Sequence, residues 1–124
     1  MTAYVDTSAL LRLVLREPGA LLHLPECETL VSSELIAVEG RRPIDRLRVQ
    51  GALSTEEAAD RLRAIADWLE ALDLGLVRPT VLSRAGEPLP TPLGTLDAIP
   101  LASALVWRAR VAPISFVATH DGAL

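Results

Sequence analysis

Short apolar segments alternate with longer helical segments along this chain, and several of the short segments end at an acidic or hydroxyl side chain. Residues 3–5 precede Asp6, and residues 114–118 precede Thr119 and Asp121. Residues 29–31 and 74–78 have the same strand-like character. Strands that alternate with helices fold into a parallel sheet covered by helices on both faces. We therefore expect a single α/β domain over residues 1–124.

Capping and stop signals predict the first helices. The polar run 6–8 favours a helix over residues 9–16 that Pro18 and Gly19 stop, and a short helix is expected at 20–24. Ser32 or Ser33 is expected to cap a helix that begins near Glu34. Proline in a helix interior removes a hydrogen bond, so Pro43 predicts a kink or break near residue 42 in a helical region that ends at residue 51.

The remaining helices are predicted from one capping box and one proline. Ser54 and Glu57 have the spacing of a capping box, and apolar residues then recur at helical spacing over residues 55–72. Residues 79–95 are rich in proline and glycine and predict a loop with one helical turn at 81–85. Thr95 is expected to cap a helix over 96–110, and Pro100 requires this helix to start close to Asp97.

The composition excludes several classes of chemistry. All twelve basic residues are arginine, which excludes Schiff-base and Walker-type lysine chemistry. The net charge of −4 argues against broad coating of nucleic acid but leaves room for a local basic rim. A single cysteine forms no internal disulfide, and no apolar stretch approaches the ~20 residues of a membrane span. A cytoplasmic protein is expected.

Acidic residues are predicted to meet at the carboxyl edge of the sheet. Asp6 and Asp121 follow strands, Asp97 lies in the first turn of a helix, and Glu39 shares the apolar stripe of Leu35 and Ile36. Clustered carboxylates repel one another unless a cation is present, and Mg²⁺ or Mn²⁺ prefers such oxygen ligands.

Each acid also has an ordinary structural interpretation. Asp6 could cap the following helix, and Asp97 could complement a helix dipole. Asp121 could be a turn residue, and Glu39 could pair with Arg41 or Arg42. The four acids therefore indicate a metal site only when they are taken together.

The order and spacing of these motifs resemble the PIN domain, and more closely the VapC toxins of type II toxin–antitoxin pairs. The acids stand 33, 58 and 24 positions apart. The resemblance runs from about residue 3 to 124 and depends on five segments: YVDTSAL at 4–10, SEL at 33–35 followed by Glu39 and Arg42, TLDA at 95–98, LASAL at 101–105 and FVATHD at 116–121.

The resemblance implies a PIN-like three-layer fold and an endoribonuclease that depends on Mg²⁺ or Mn²⁺. It implies RNA cleavage by activated water and a homodimer that a VapB-like antitoxin neutralises in a heterotetramer or larger complex. The implied catalytic and metal-binding residues are Asp6, Glu39, Asp97 and Asp121, with Thr7, Ser8 and Thr119 as polar neighbours. Arg42, and with it Arg41, is the implied contact to RNA phosphates.

Three departures accompany this resemblance. Pro100 stands where such toxins often have histidine, and Pro43 interrupts the helix after Glu39. The last helix and strand of the family are absent from residues 1–124, which indicates either a truncation or a disordered tail.

Two other functions remain open. The first is a non-catalytic PIN-like module that dimerises or binds a partner. The second is a phosphatase with Asp6 as nucleophile, which the serine at position 8 and the lack of lysine disfavour.

Overall fold

The computed structural model describes residues 1–16 and 27–119. Its centre is a parallel sheet of four strands with the spatial order β3-β2-β1-β4. The strands are β1 (Thr2–Val5), β2 (Thr29–Ser33), β3 (Asp73–Gly75) and β4 (Phe116–Ala118). The α/β class with a parallel central sheet is therefore confirmed.

Five helices flank the sheet within the described part of the chain. They are α1 (Thr7–Val14), α2 (Ile36–Val49), α3 (Thr55–Ala71), α4 (Pro79–Ala85) and α5 (Thr95–Arg110). The helices α1, α2 and α3 pack against one another, and α4 packs against α5, which also contacts β2.

The alternation of side chains along β1 divides the interior into two cores, one on each face of the sheet. Ala3 and Val5 belong to the larger core, which includes Leu10, Ile44 and Ile65 from the three helices of that side. Tyr4, between them, points to the other face and packs with Val31 and Ala104. This period of two produces three layers, helix, sheet and helix, as the PIN resemblance implies.

Local sequence signals explain two of the helix ends. The Ser54 side chain accepts a hydrogen bond from the Glu57 backbone N–H at 3.0 Å, and Glu57 accepts one from the Ser54 backbone N–H at 3.0 Å. This confirms the capping box at the start of α3. Gly51, with φ of +80°, follows α2 in the left-handed conformation that favours glycine.

The helix α2 differs from its prediction in two ways. Both Ser32 and Ser33 belong to the buried strand β2, and α2 begins later than expected, at Ile36. The Ser33 hydroxyl nevertheless accepts a hydrogen bond from the Leu35 N–H at 3.3 Å, as a cap does, whereas the Ser32 hydroxyl does not. The expected break near residue 42 is also wrong, since α2 continues through Pro43 to Val49. Burial of Ile36 and Ile44 on one side of α2 provides the packing that keeps this helix continuous.

The later elements also depart from expectation. Residues 79–85 form a seven-residue helix, and Pro79 occupies its first position, where no N–H is needed. Thr95 is the first residue of α5, and Gly94 occupies the N-cap. The helix expected over 96–110 thus begins one residue early, and Pro100 is its sixth residue. The third strand ends at Gly75, three residues before the predicted end.

The sheet order places the ends of β1 and β4 side by side. Val5 pairs with Ala118, and the Asp6 backbone N–H donates to the Ala118 carbonyl at 2.9 Å. The predicted helix at 20–24, its preceding stop signal and Asp121 lie outside the described residues. Within the described ranges, no helix has the length and apolar character to cross a membrane.

Candidate functional site

Asp6 lies at the carboxyl end of the central strand β1, and its side chain is buried. Its backbone carbonyl accepts hydrogen bonds from the N–H groups of Ala9 and Leu10 and so starts α1. Its carboxylate makes no capping hydrogen bond to this helix. A buried carboxylate that does not cap its helix has a stabilising partner elsewhere or binds a cation. The capping interpretation of the Asp6 side chain is therefore wrong.

Two hydroxyl groups hold the Asp6 carboxylate. Ser8 Oγ donates to Oδ2 at 2.7 Å, and Thr119 Oγ1 donates to the same oxygen at 3.0 Å. The two hydroxyl oxygens are 3.2 Å apart. This pair of hydroxyls therefore fixes the orientation of the Asp6 carboxylate.

Glu39 lies in the first turn of α2, facing Asp6. Thr7 Oγ1 donates to Glu39 Oε1 across 3.5 Å, at the outer limit of a hydrogen bond. Burial raises the pKa of the Glu39 carboxyl above its ordinary value, and the negative charges of Asp6 and Asp97 raise it further. The Thr7 hydroxyl opposes this shift. Glu39 therefore belongs to the same cluster of charge as the two aspartates.

Asp97 lies in the first turn of α5 and is partly buried. The negative charge of Asp97 acts on Glu39, so the start of α5 lies within electrostatic range of that carboxyl group. Asp6 after β1 and Asp97 at the start of α5 thus both act on Glu39 in the first turn of α2, although the three acids come from distant parts of the sequence. The carboxyl edge of the sheet, where Asp6 lies, is the edge at which ligands bind in open parallel sheets.

The three acids do not form a closed metal cage. Among residues 1–16 and 27–119, no three side chains of His, Cys, Asp or Glu converge closely enough to hold one metal ion. The kinds of donor nevertheless fit a hard divalent cation, because the site offers carboxylate oxygens. Asp121 lies outside the described residues.

The arginines of α2 are exposed beside this site. Arg42 and Arg48 pair with Asp45 at 3.3 and 2.9 Å, and Arg41 donates to the Ala37 carbonyl at 3.4 Å. The predicted alternative in which Glu39 pairs with Arg41 or Arg42 is therefore wrong within the described residues. Both arginines remain accessible to a ligand, and the Arg42 side chain is 65% exposed.

A second, fully buried polar group lies beneath the acids and was not predicted. The Tyr4 phenol, two residues before Asp6, accepts a hydrogen bond from the Ser33 N–H at 3.1 Å. Burial raises the pKa of this phenol well above its ordinary value, so it stays protonated. A tyrosine in an otherwise apolar strand was the available signal, because a buried phenol needs a partner.

Glu34 is another residue whose role the sequence did not reveal. Its side chain accepts a hydrogen bond from the Val77 N–H at 2.7 Å, and its own N–H donates to the Gly75 carbonyl at 2.9 Å. These two hydrogen bonds hold the segment after β3 against the end of β2. Glu34 supports the edge of the sheet and adds no carboxylate to the acidic cluster.

No protein-family model matches this chain, and no curated protein matches it either.

Proposed function

We propose that this protein is a metal-dependent endoribonuclease of the VapC-like kind. One observation carries the proposal: the buried Asp6 carboxylate is held by the Ser8 and Thr119 hydroxyls at the carboxyl edge of the sheet, near Glu39 and Asp97. A structural aspartate would have capped α1, and this one does not. The arrangement supports a site built for a cation and a phosphate.

The carboxylates of Asp6, Glu39 and Asp97, with Asp121, would hold Mg²⁺ or Mn²⁺. Such a cation, when bound, activates water and neutralises the charge that develops on a phosphodiester. The other side chains of the site prepare these ligands. Ser8 and Thr119 keep one oxygen of Asp6 occupied, and Thr7 orients Glu39. Arg41 and Arg42 lie on the helix of Glu39 and are the proposed contacts to RNA phosphates.

The biological setting is part of the same proposal. The protein acts in the cytoplasm as a toxin, forms a homodimer, and is neutralised by a VapB-like antitoxin in a heterotetramer or larger complex. Its partners are therefore an RNA substrate and an antitoxin. The support for this setting is the PIN-like motif order together with the parallel three-layer fold.

Cleavage of labelled RNA tests the activity directly. Purified, antitoxin-free protein is incubated with a pool of structured RNAs in Mn²⁺ or in chelator, beside the Asp6→Asn and Asp97→Asn variants. The expected result is cleavage by the wild type in Mn²⁺ alone. Asp60→Asn, on the far helix α3, is the matched control and should cleave normally. Cleavage by both site variants would overturn the proposal.

The separation of the acids favours a second candidate, a PIN-like module that binds a partner or dimerises without catalysis. The absence of a three-ligand cluster from the described residues is the observation behind it. Calorimetric titration with Mn²⁺ separates the candidates. Micromolar binding that disappears in Asp6→Asn supports the nuclease, and a folded protein that binds no Mn²⁺ supports the module.

A further inference from the structure

Gly40 lies one residue beyond Glu39, at a point where α2 packs against both α1 and α3. It is buried, and it has no side chain to occupy the space between the three helices. A Cβ atom at this position would lie 3.2 Å from Ile65 Cδ1 on α3 and 3.7 Å from Leu10 Cδ2 on α1. The first distance is shorter than the separation of about 3.5–4.0 Å at which carbon atoms pack.

The side chains around Gly40 have little freedom to make room for a methyl group. Ile65 and Leu10 are fully buried, and both belong to the core that the three helices share. Isoleucine is branched at Cβ and strongly prefers one rotamer in a helix. A close-packed interior also transmits a change of one methyl group to its neighbours. An added Cβ at position 40 should therefore push α2 outwards rather than displace Ile65.

Glu39 would move with Gly40, because the two residues are adjacent in one continuous helix. The Glu39 carboxylate accepts from the Thr7 hydroxyl across 3.5 Å, which is the outer limit of a hydrogen bond. Thr7 and Leu10 are three residues apart on α1 and so occupy the same face of that helix. This face of α1 lies against Gly40 through Leu10 and against Glu39 through Thr7. A displacement of a few tenths of an ångström at Gly40 is therefore enough to break the contact with Thr7.

We infer that Gly40 is a positioning residue, whose missing side chain lets α2 approach α1 and α3 closely enough for Glu39 to reach Thr7. Thr7 follows Asp6 directly in the chain, so this contact holds the Glu39 carboxylate beside the segment that carries Asp6. The inference rests on the proposed function and deepens it, because the position of Glu39 matters to a cation only if the acids act together. Gly40 itself touches neither the cation nor the RNA in this scheme.

Crystal structures of metal-free variants of the full chain test the packing step directly. In Gly40→Ala, the distance from Thr7 Oγ1 to Glu39 Oε1 should increase beyond the range of a hydrogen bond. Ile65→Val deletes Cδ1, the atom nearest to the added methyl group, so Gly40→Ala/Ile65→Val should restore the contact. Gly86→Ala is the matched control, because a Cβ there would lie 3.6 Å from its nearest neighbour and should fit without movement.

Urea unfolding of the same variants tests whether space is the constraint, and it applies even if Gly40→Ala does not crystallise. In a helix interior, replacing glycine with alanine normally raises the folding equilibrium constant about fivefold. Gly40→Ala should give that gain in the Ile65→Val background and should lower the constant in the wild-type background. A gain in both backgrounds would overturn the inference, because the methyl group would then fit without displacing α2. An equal loss in both would also overturn it, since Ile65 would not be the obstacle.

Mn²⁺ affinity, measured by calorimetric titration, tests the consequence for the candidate site. Gly40→Ala should bind Mn²⁺ about tenfold more weakly than the wild type, as expected for loss of an outer-shell partner, and Ile65→Val should restore the affinity in the double variant. In a Glu39→Gln background, Gly40→Ala should change the affinity less than about twofold, because its effect passes through Glu39. Gly86→Ala should bind like the wild type.

The outcomes separate this inference from the proposed function. A contact that Gly40→Ala breaks and Ile65→Val restores, in a protein that binds no Mn²⁺, supports the positioning role of Gly40 and contradicts the metal site. A contact that survives Gly40→Ala overturns the positioning role whatever the metal does. A broken contact with unchanged Mn²⁺ affinity overturns the link from Gly40 to the site.

Discussion

Thr119 donates a hydrogen bond to Asp6 Oδ2 across 3.0 Å, although the two residues are 113 positions apart in the sequence. The contact exists because β4 pairs in parallel with β1, so that Val5 lies opposite Ala118 and both chains leave the sheet at the same edge. The central carboxylate of the site thus depends on the fold of the whole described chain.

Removal of the Thr119 hydroxyl should impair the site more than the fold. Thr119→Val keeps the shape of the side chain and deletes one of the two donors to Asp6. We expect RNA cleavage to fall about tenfold, within the range for loss of an outer-shell partner, and stability to fall by about 1 kcal/mol. Gel-based cleavage rates and urea unfolding measure the two effects. Thr119→Ser retains the hydroxyl and should restore activity, and failure to do so would contradict the assigned role.

Asp6→Asn should separate activity from stability. The amide retains an oxygen that can accept from Ser8 and Thr119, and it removes a negative charge that destabilises ionised Glu39. We expect cleavage to fall by more than about 100-fold because a ligand is lost, while the unfolding free energy stays within about 1 kcal/mol of the wild type or rises. Thermal unfolding and cleavage assays provide the test. A loss of stability above about 2 kcal/mol would indicate a structural carboxylate.

Glu39 should make the protein less stable as the pH rises. Its pKa is raised in the folded state, so the folded protein binds this proton more tightly than the unfolded chain. The stabilisation that this bound proton gives the folded state is complete below the ordinary glutamate pKa. It is lost as the pH rises through the higher pKa that Glu39 has in the folded protein. Glu39→Gln should therefore be more stable than the wild type at pH 7.5, and this difference should shrink toward pH 4.

Urea unfolding of both proteins over that pH range provides the measurement. Glu70→Gln, an exposed glutamate on α3, is the control and should show no such trend. An advantage of Glu39→Gln that grows as the pH falls would have the wrong sign and would contradict the raised pKa.

The capping box should contribute to stability alone. Ser54→Ala removes the acceptor for the Glu57 N–H at the start of α3. We expect a loss of about 1 kcal/mol and a fall in melting temperature of about 4 °C, with unchanged RNA cleavage. Differential scanning calorimetry measures the first effect. A large loss of cleavage in this variant would show that α3 has a role at the site.

Pro43 should lower the stability of α2. The missing N–H of Pro43 leaves the carbonyl of Glu39, four residues earlier, without its normal helical partner. In a helix interior, alanine is about 3 kcal/mol more favourable than proline. Proline restricts the unfolded chain, and its replacement loses less than about 1 kcal/mol of that stabilisation. Pro43→Ala should therefore stabilise the protein by about 2 kcal/mol.

Guanidinium unfolding of this variant is compared with Pro79→Ala, where the proline occupies the first position of α4 and suits the helix. Pro79→Ala should bring no gain. Equal effects at the two positions would show that the context of the α2 interior does not matter.

The sequence predicted the elements whose signals are local. The capping box of α3 and the apolar run before Asp6 specify structure within a few residues, and both were confirmed. Errors arose where tertiary packing overrides a local preference. Ser32 and Ser33 look like the start of a helix in isolation, but pairing with β3 extends β2 through both of them, and only the Ser33 hydroxyl also accepts from an N–H ahead of α2. Likewise, the buried face of α2 keeps the helix intact through Pro43.

The sequence indicates which acids belong to the candidate site, but it does not indicate which side chains contact them. Spacing along the chain and position after strands indicated Asp6, Glu39 and Asp97, since those features follow from the topology of a parallel sheet. The convergence of Ser8 and Thr119 on one oxygen depends on the register of two strands, which no short segment specifies. The hydrogen bond from the Ser33 N–H to the Tyr4 phenol likewise depends on how β1 and β2 pair.

The pairing of β1 with β4 also determines when the candidate site can form during synthesis. Ribosomes add about 5–20 residues per second, so the 113 positions between Asp6 and Thr119 correspond to roughly 6 to 23 s of translation. Until β4 has emerged and docked, β1 has an unpaired edge and Asp6 has only one of its two hydroxyl donors. The candidate site is therefore incomplete until residue 119 has been added and β4 has paired with β1.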